Sequence, residues 1–165
     1  MQFSDLFTAL LAVSTVLGNV LALLIFFAFL FARDFFARIM RLLSVHGVAI
    51  ATLLSAGASV GSLVYSEVVG FPACILCWIQ RAFMYPQMFI LGVAWWRPYA
   101  AAVPVAFGLS VVGGSVALYN WIKDMLSVYA GYTAPCPAVS GLPSCDAIYI
   151  LEYGYVTIAM LALNV

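Results

Sequence analysis

The sequence predicts an all-α, polytopic membrane protein, and two observations carry that reading. Hydrophobic residues make up 67% of the 165-residue chain and charged residues only 7%, with a mean hydropathy of +1.16. A soluble domain carries roughly 25% charged residues. The apolar residues also gather into long stretches that can cross a hydrocarbon core of about 30 Å as helices. The formal net charge is zero, so nothing points to nucleic acid or to an acidic partner.

Taken in order, Leu6 to Ala32 carries no charge and is long enough to span. Asp5 stands where a signal peptide would have a basic segment, so this stretch reads as a transmembrane helix. Arg33, Arg38 and Arg41 follow, opposed only by Asp34, and read as a basic loop. Leu42 to Ser66 is the second span, with Ala56, Gly57, Ala58, Ser59 and Gly61 allowing close helix approach. Glu67 to Ala73 is a short loop and Glu67 a solvated residue in it; His46 reads as structural.

Cys74 to Trp96 is the third span, interrupted by Arg81 and bent by Pro86. Arg97-Pro98 is a tight turn, with Trp95, Trp96 and Tyr99 as an aromatic belt. Tyr99 to Ile122 is the fourth span. Lys123 to Ala147 reads as the one long loop, broken by Gly131, Pro135, Pro137, Gly141 and Pro143. Around its start Trp121, Met125, Leu126 and Tyr129 suggest an amphipathic turn on the outer interface. Ile148 to Val165 begins a fifth span, short and holding Glu152, and the natural chain is expected to continue past Val165.

Orientation follows from the basic residues. With the 33–41 segment in the cytoplasm, Arg33, Arg38, Arg41 and Arg97 all lie inside. Cys74, Cys77, Cys136 and Cys145 then lie on the extracytoplasmic side, where disulfides form and persist.

The chemistry centres on Cys74-Ile75-Leu76-Cys77-Trp78-Ile79-Gln80-Arg81. Pro72 stands just before it, where a helix would start. On a helix Cys77 and Arg81 are i, i+4 neighbours. The positive helix N-terminus and the guanidinium both favour a thiolate, which makes the Cys-x-x-Cys a redox motif. The plainer readings are inert buried thiols or half of a zinc site, and for Arg81 a snorkelling side chain on a lipid phosphate. The spacing of Cys136 and Cys145 fits zinc poorly, so no metal is expected. Those two could be a structural staple worth about 2.5–3 kcal/mol. Beside a second redox pair, thiol–disulfide exchange is the better reading.

Cys74–Arg81 resembles the disulfide bond formation protein B (DsbB) family. The resemblance extends through Tyr65-Ser66-Glu67-Val68, Tyr85-Pro86, Leu118-Tyr119-Asn120, Pro135-Cys136, Pro143-Ser144-Cys145 and Gly154-Tyr155-Val156-Thr157-Ile158. It covers about residues 45–165. It implies a four-helix membrane bundle in 42–165, with 1–41 an extra N-terminal transmembrane helix and basic cytoplasmic loop. It implies a membrane thiol oxidase in the cytoplasmic (inner) membrane that supports disulfide bond formation. The Cys74–Cys77 pair, once reduced, would hand electrons to a quinone, ubiquinone or menaquinone, closing to a disulfide, with Cys77 facing it and Arg81 binding it. Cys136, paired with Cys145, would be attacked by a DsbA-like thioredoxin-fold partner. Three features depart from the family pattern: the first helix, Asn120 in place of a frequent histidine, and Ala159 in place of a frequent proline. Vitamin K epoxide reductase-like proteins share similar chemistry, but there the loop pair precedes the Cys-x-x-Cys. A non-catalytic membrane protein with structural disulfides is the remaining alternative.

Overall fold

The computed structural model describes residues 3–132, 143 and 148–164. Its elements are α1 (Phe3–Phe31), α2 (Arg33–Leu63) with a π-helical extension (Val64–Val68), α3 (Ile75–Trp96), α4 (Ala102–Ala130) and α5 (Ile158–Leu163). Among the described residues there is no strand, only an isolated bridge between Glu152 and Val156. Three helical stretches are long and apolar enough to cross a membrane: Ser4–Phe31, Asp34–Val68 and Ala102–Ala130. The chain is a multi-pass helical membrane protein.

A bilayer offers no partners for backbone groups, so apolar spans become helices. Several of their serine and threonine hydroxyls turn back onto the same helix. Ser14 and Thr15 donate to the Leu11 carbonyl at 2.8 and 2.9 Å. Thr52 donates to Val48 at 2.7 Å and Ser59 to Ser55 at 2.8 Å. Each polar group is thereby satisfied without leaving its helix.

The structure corrects the sequence reading at several boundaries. The basic segment expected as a loop at 33–41 is the start of α2, and only Ala32 (φ −132°, ψ 66°) separates it from α1. Charge at a membrane edge marks depth rather than secondary structure, and no Gly or Pro interrupts 33–46. At 31 residues α2 is about 46 Å long, so its basic end projects beyond the hydrocarbon. α1 returns antiparallel along it: the Tyr65 hydroxyl meets Thr8 Oγ1 at 3.3 Å, and the Phe7 and Tyr65 rings pack edge-to-face with centroids 5.3 Å apart.

α3 lies between α2 and α4. It carries Gln80, Arg81, Pro86 and Gln87 and is not among the three stretches apolar enough to span on composition alone. Gln87 Nε2 donates to Ser110 Oγ at 2.6 Å. A Cβ on Gly113 would stand 3.1 Å from Phe83 Cβ, so this glycine is what lets α3 and α4 approach so closely.

α4 does not end at Ile122. It runs on to Ala130 and stops at Gly131, which takes the left-handed conformation (φ 62°) of a helix cap. Lys123 does not open a loop; it is buried and paired with Asp124 at 3.4 Å. The 121–129 stretch is therefore part of α4 rather than a separate interfacial turn. The expected fifth span is helical only from Ile158; residues 148–157 are irregular. They are held by the end of α4. Trp121 Nε1 donates to the Tyr155 carbonyl at 2.9 Å and the Tyr129 hydroxyl to the Gly154 carbonyl at 2.7 Å.

Candidate functional site

The sequence places Cys74 at a helix start, and the structure makes it the N-cap of α3, extended at φ −71°, ψ 171°. Pro72, two residues earlier, disfavours helix in what precedes it. The Phe71 N–H donates to the Tyr65 carbonyl at 2.9 Å, folding this connection back onto the π-helical end of α2. π-helical turns recur at functional sites. The Cys77 N–H points at Cys74 Sγ at 3.4 Å, and the two sulfurs are 2.9 Å apart. Cys74 is buried, Cys77 half-buried, and both are free thiols. Two thiols in contact can lose two electrons and two protons and close a disulfide with little movement.

Arg81 is one turn below Cys77 and only 8% exposed. This overturns the snorkelling alternative, because the guanidinium points into the protein. Nε donates to Ser62 Oγ at 2.8 Å and Nη2 to the Ser62 carbonyl at 2.9 Å. Its Cζ lies 5.3 Å from the Trp78 ring centroid, a cation–π distance. Nη1 makes no hydrogen bond among the described residues, and no carboxylate there lies within ion-pair distance.

These groups open onto a cavity of about 760 Å³, within the usual range for small-molecule sites. At the thiol end it is lined by Cys74, Cys77, Gln80, Arg81 and Asn120, and farther in by Leu53 and Leu109. α1, left without a role by the sequence, supplies a wall through Leu11, Thr15, Gly18 and Ala22. Gln80, Asn120 and Thr157 were not singled out as site residues. All three line the cavity, and Gln80 Nε2, Asn120 Oδ1 and Thr157 Oγ1 are buried without a hydrogen-bond partner among the described residues. Polar side chains inside apolar spans were the available signal for Gln80 and Asn120. Thr157 gave none.

Cys136 and Cys145 lie outside the described residues. The chain that follows them returns to the site: the Tyr149 ring stacks on Phe71 at 5.0 Å and 18°, three residues before Cys74. Glu67 is exposed, as expected, though it lies on the π-helical extension rather than in a loop; His46, read as structural, is exposed as well, and neither lines the cavity.

A membrane helix bundle with a Cys-x-x-Cys at a helix start and a buried arginine beneath it defines a thiol oxidoreductase of the membrane. The family described as disulfide bond formation protein DsbB matches residues 44–143, and the chain belongs to that family. It is 34% identical over 106 residues to "Disulfide bond formation protein C" of Bacillus subtilis (strain 168), covering 64% of this chain and 74% of that one. It is 32% identical over 125 residues to "Probable disulfide formation protein" of Coxiella burnetii (strain CbuK_Q154), covering 76% and 83%. A third relative, "Probable disulfide formation protein" of Oceanobacillus iheyensis, is 36% identical over 106 residues, covering 64% and 70%. No solved structure matches the chain.

Proposed function

We propose that this protein is a quinone-dependent dithiol oxidase that reoxidises a thioredoxin-fold, DsbA-like partner on the extracytoplasmic side. The observation that carries the reading is the joining of three features at one place. The Cys74–Cys77 dithiol, the inward-turned Arg81 and a large, mostly apolar cavity share one wall. A bound quinone would supply a two-electron, two-proton acceptor with oxygens that accept hydrogen bonds. Arg81 Nη1 fits such an oxygen, and the apolar walls fit a membrane-soluble ring and tail.

In this reading the partner's thiolate attacks Cys136 of a Cys136–Cys145 disulfide. Resolution of the mixed disulfide leaves the partner oxidised and Cys136 and Cys145 reduced. They in turn reduce a Cys74–Cys77 disulfide by exchange, each step moving two electrons and breaking one S–S bond as another forms. The Cys74–Cys77 dithiol then closes again as its two electrons and two protons leave at the cavity. Arg81 holds charge complementary to an oxygen gaining electrons, in a water-poor site where that is worth most.

The test uses the purified chain in detergent with a short-chain ubiquinone or menaquinone and a reduced DsbA-type protein. The wild type should couple partner oxidation to quinol formation in a 1:1 ratio, since each is a two-electron change. Cys77→Ser should stop quinol formation yet still permit one exchange at Cys136. Turnover with quinone in the Cys77→Ser protein would sink the relay.

A further inference from the structure

Along α2 and its π extension, the serine and threonine hydroxyls other than that of Ser62 bond back to their own helix. Ser44 reaches the Arg41 carbonyl, Thr52 that of Val48, Ser55 that of Thr52, Ser59 that of Ser55, and Ser66 those of Ser62 and Leu63. Ser62 departs from this pattern. Its hydroxyl accepts from Arg81 Nε at 2.8 Å, across the helix interface, and its carbonyl accepts from Nη2 at 2.9 Å. Two parallel bonds from one edge of a planar guanidinium to one residue fix both its position and its plane. One bond would leave the plane free to turn.

The chemistry of the clamp matters as much as its geometry. A buried arginine is ordinarily paired with a carboxylate, which would cancel its charge. Ser62 offers a hydroxyl and a carbonyl, both neutral. Among the described residues the side chain is thus held by neutral acceptors, with no carboxylate within ion-pair distance and Nη1 left over beside the cavity that Cys77 also lines. We propose that Ser62 is a positioning residue that fixes Arg81 without neutralising it, so that Nη1 presents a full charge to an acceptor oxygen in the cavity. This rests on the quinone reading for its function, while the clamp itself can be measured without any quinone.

The experiment has two readouts on the full-length chain in detergent. The first is exchange of the Arg81 Nε–H in protein labelled with ¹⁵N-arginine. It should be slow in the wild type and Ser62→Thr, and at least about tenfold faster in Ser62→Ala, where the acceptor is gone. The second is steady-state kinetics with a short-chain ubiquinone. Ser62→Ala should raise KM by about tenfold or more, the loss expected when a charge-assisted hydrogen bond is disturbed. Its kcat should fall less than KM rises, and Ser62→Thr should recover most of the loss. Ser62→Asp, which keeps a clamp but cancels the charge, should be impaired although its Nε–H stays protected. Adding Ser62→Ala to Arg81→Ala should cost nothing further.

Unchanged Nε–H exchange in Ser62→Ala overturns the clamp. A wild-type KM in Ser62→Ala or in Ser62→Asp, or losses that multiply in the double variant, overturns the positioning role. A wild-type protein that reduces no quinone refutes the quinone reading and the positioning role together. The exchange measurement still decides whether the clamp exists.

Discussion

Replacing Arg81 with methionine separates a residue that works from one that merely holds the fold together. Methionine fills a similar volume, so little cavity is created. The change removes two hydrogen bonds from a charged donor, at 2.8 and 2.9 Å, each worth about 1.5–3 kcal/mol. It also removes a charge from a helix in a membrane bundle, which relieves roughly 2.5–3.5 kcal/mol on insertion scales. The two contributions partly offset each other. Arg81→Met should therefore change unfolding stability by between nothing and a loss of about 3 kcal/mol. Activity should respond quite differently if Nη1 bonds a quinone oxygen as proposed, because that bond would have no compensation. Quinone kcat/KM should fall by about 10- to 150-fold, the equivalent of one charge-assisted bond. Denaturant unfolding in detergent and steady-state quinone reduction on the same preparation give both numbers. A variant that loses activity only in proportion to its unfolded fraction would refute the reasoning and return Arg81 to a structural role.

Other consequences are checked more simply. A membrane-impermeant thiol reagent added from outside should label reduced Cys136 and Cys145, given the basic residues at the opposite ends of the spans; labelling only from the cytoplasm would reverse the orientation. Cys145→Ser leaves Cys136 without its resolving partner and should trap a mixed disulfide when an oxidised DsbA-type protein is supplied, seen as a reductant-sensitive band on a gel. Gly154→Ala places a Cβ 3.1 Å from the Tyr129 hydroxyl at a φ of +79°, which should cost about 1–3 kcal/mol from left-handed strain and a displaced hydrogen bond, read as a lowered unfolding midpoint.

Much of this was legible in the chain because membrane physics is blunt. Long uncharged stretches have few options besides helix, and Cys74 at a helix start followed by Arg81 sits where the motif says it should. The boundaries at 33–41 and at 123 differ for one reason: charge at a membrane edge does not end a helix. Arg38 and Arg41 lie on α2, and Lys123 lies within α4, neutralised by Asp124 one residue on. The true end of α4 was written in Gly131, a residue type suited to the left-handed cap. The direction of Arg81 was beyond sequence reasoning. Nothing in the spacing between residues 62 and 81 says that a serine on the neighbouring helix accepts twice from one edge of its guanidinium. The three unpartnered polar atoms on Gln80, Asn120 and Thr157 depend likewise on which face of three separate elements turns inward.

The family match begins at residue 44, beyond α1, yet α1 supplies a wall of the cavity through Leu11, Thr15, Gly18 and Ala22. The thiols and the surface facing them thus come from different parts of the chain, with different histories open to them. Substitutions along α1 can reshape what the cavity admits while the cysteine chemistry stays untouched.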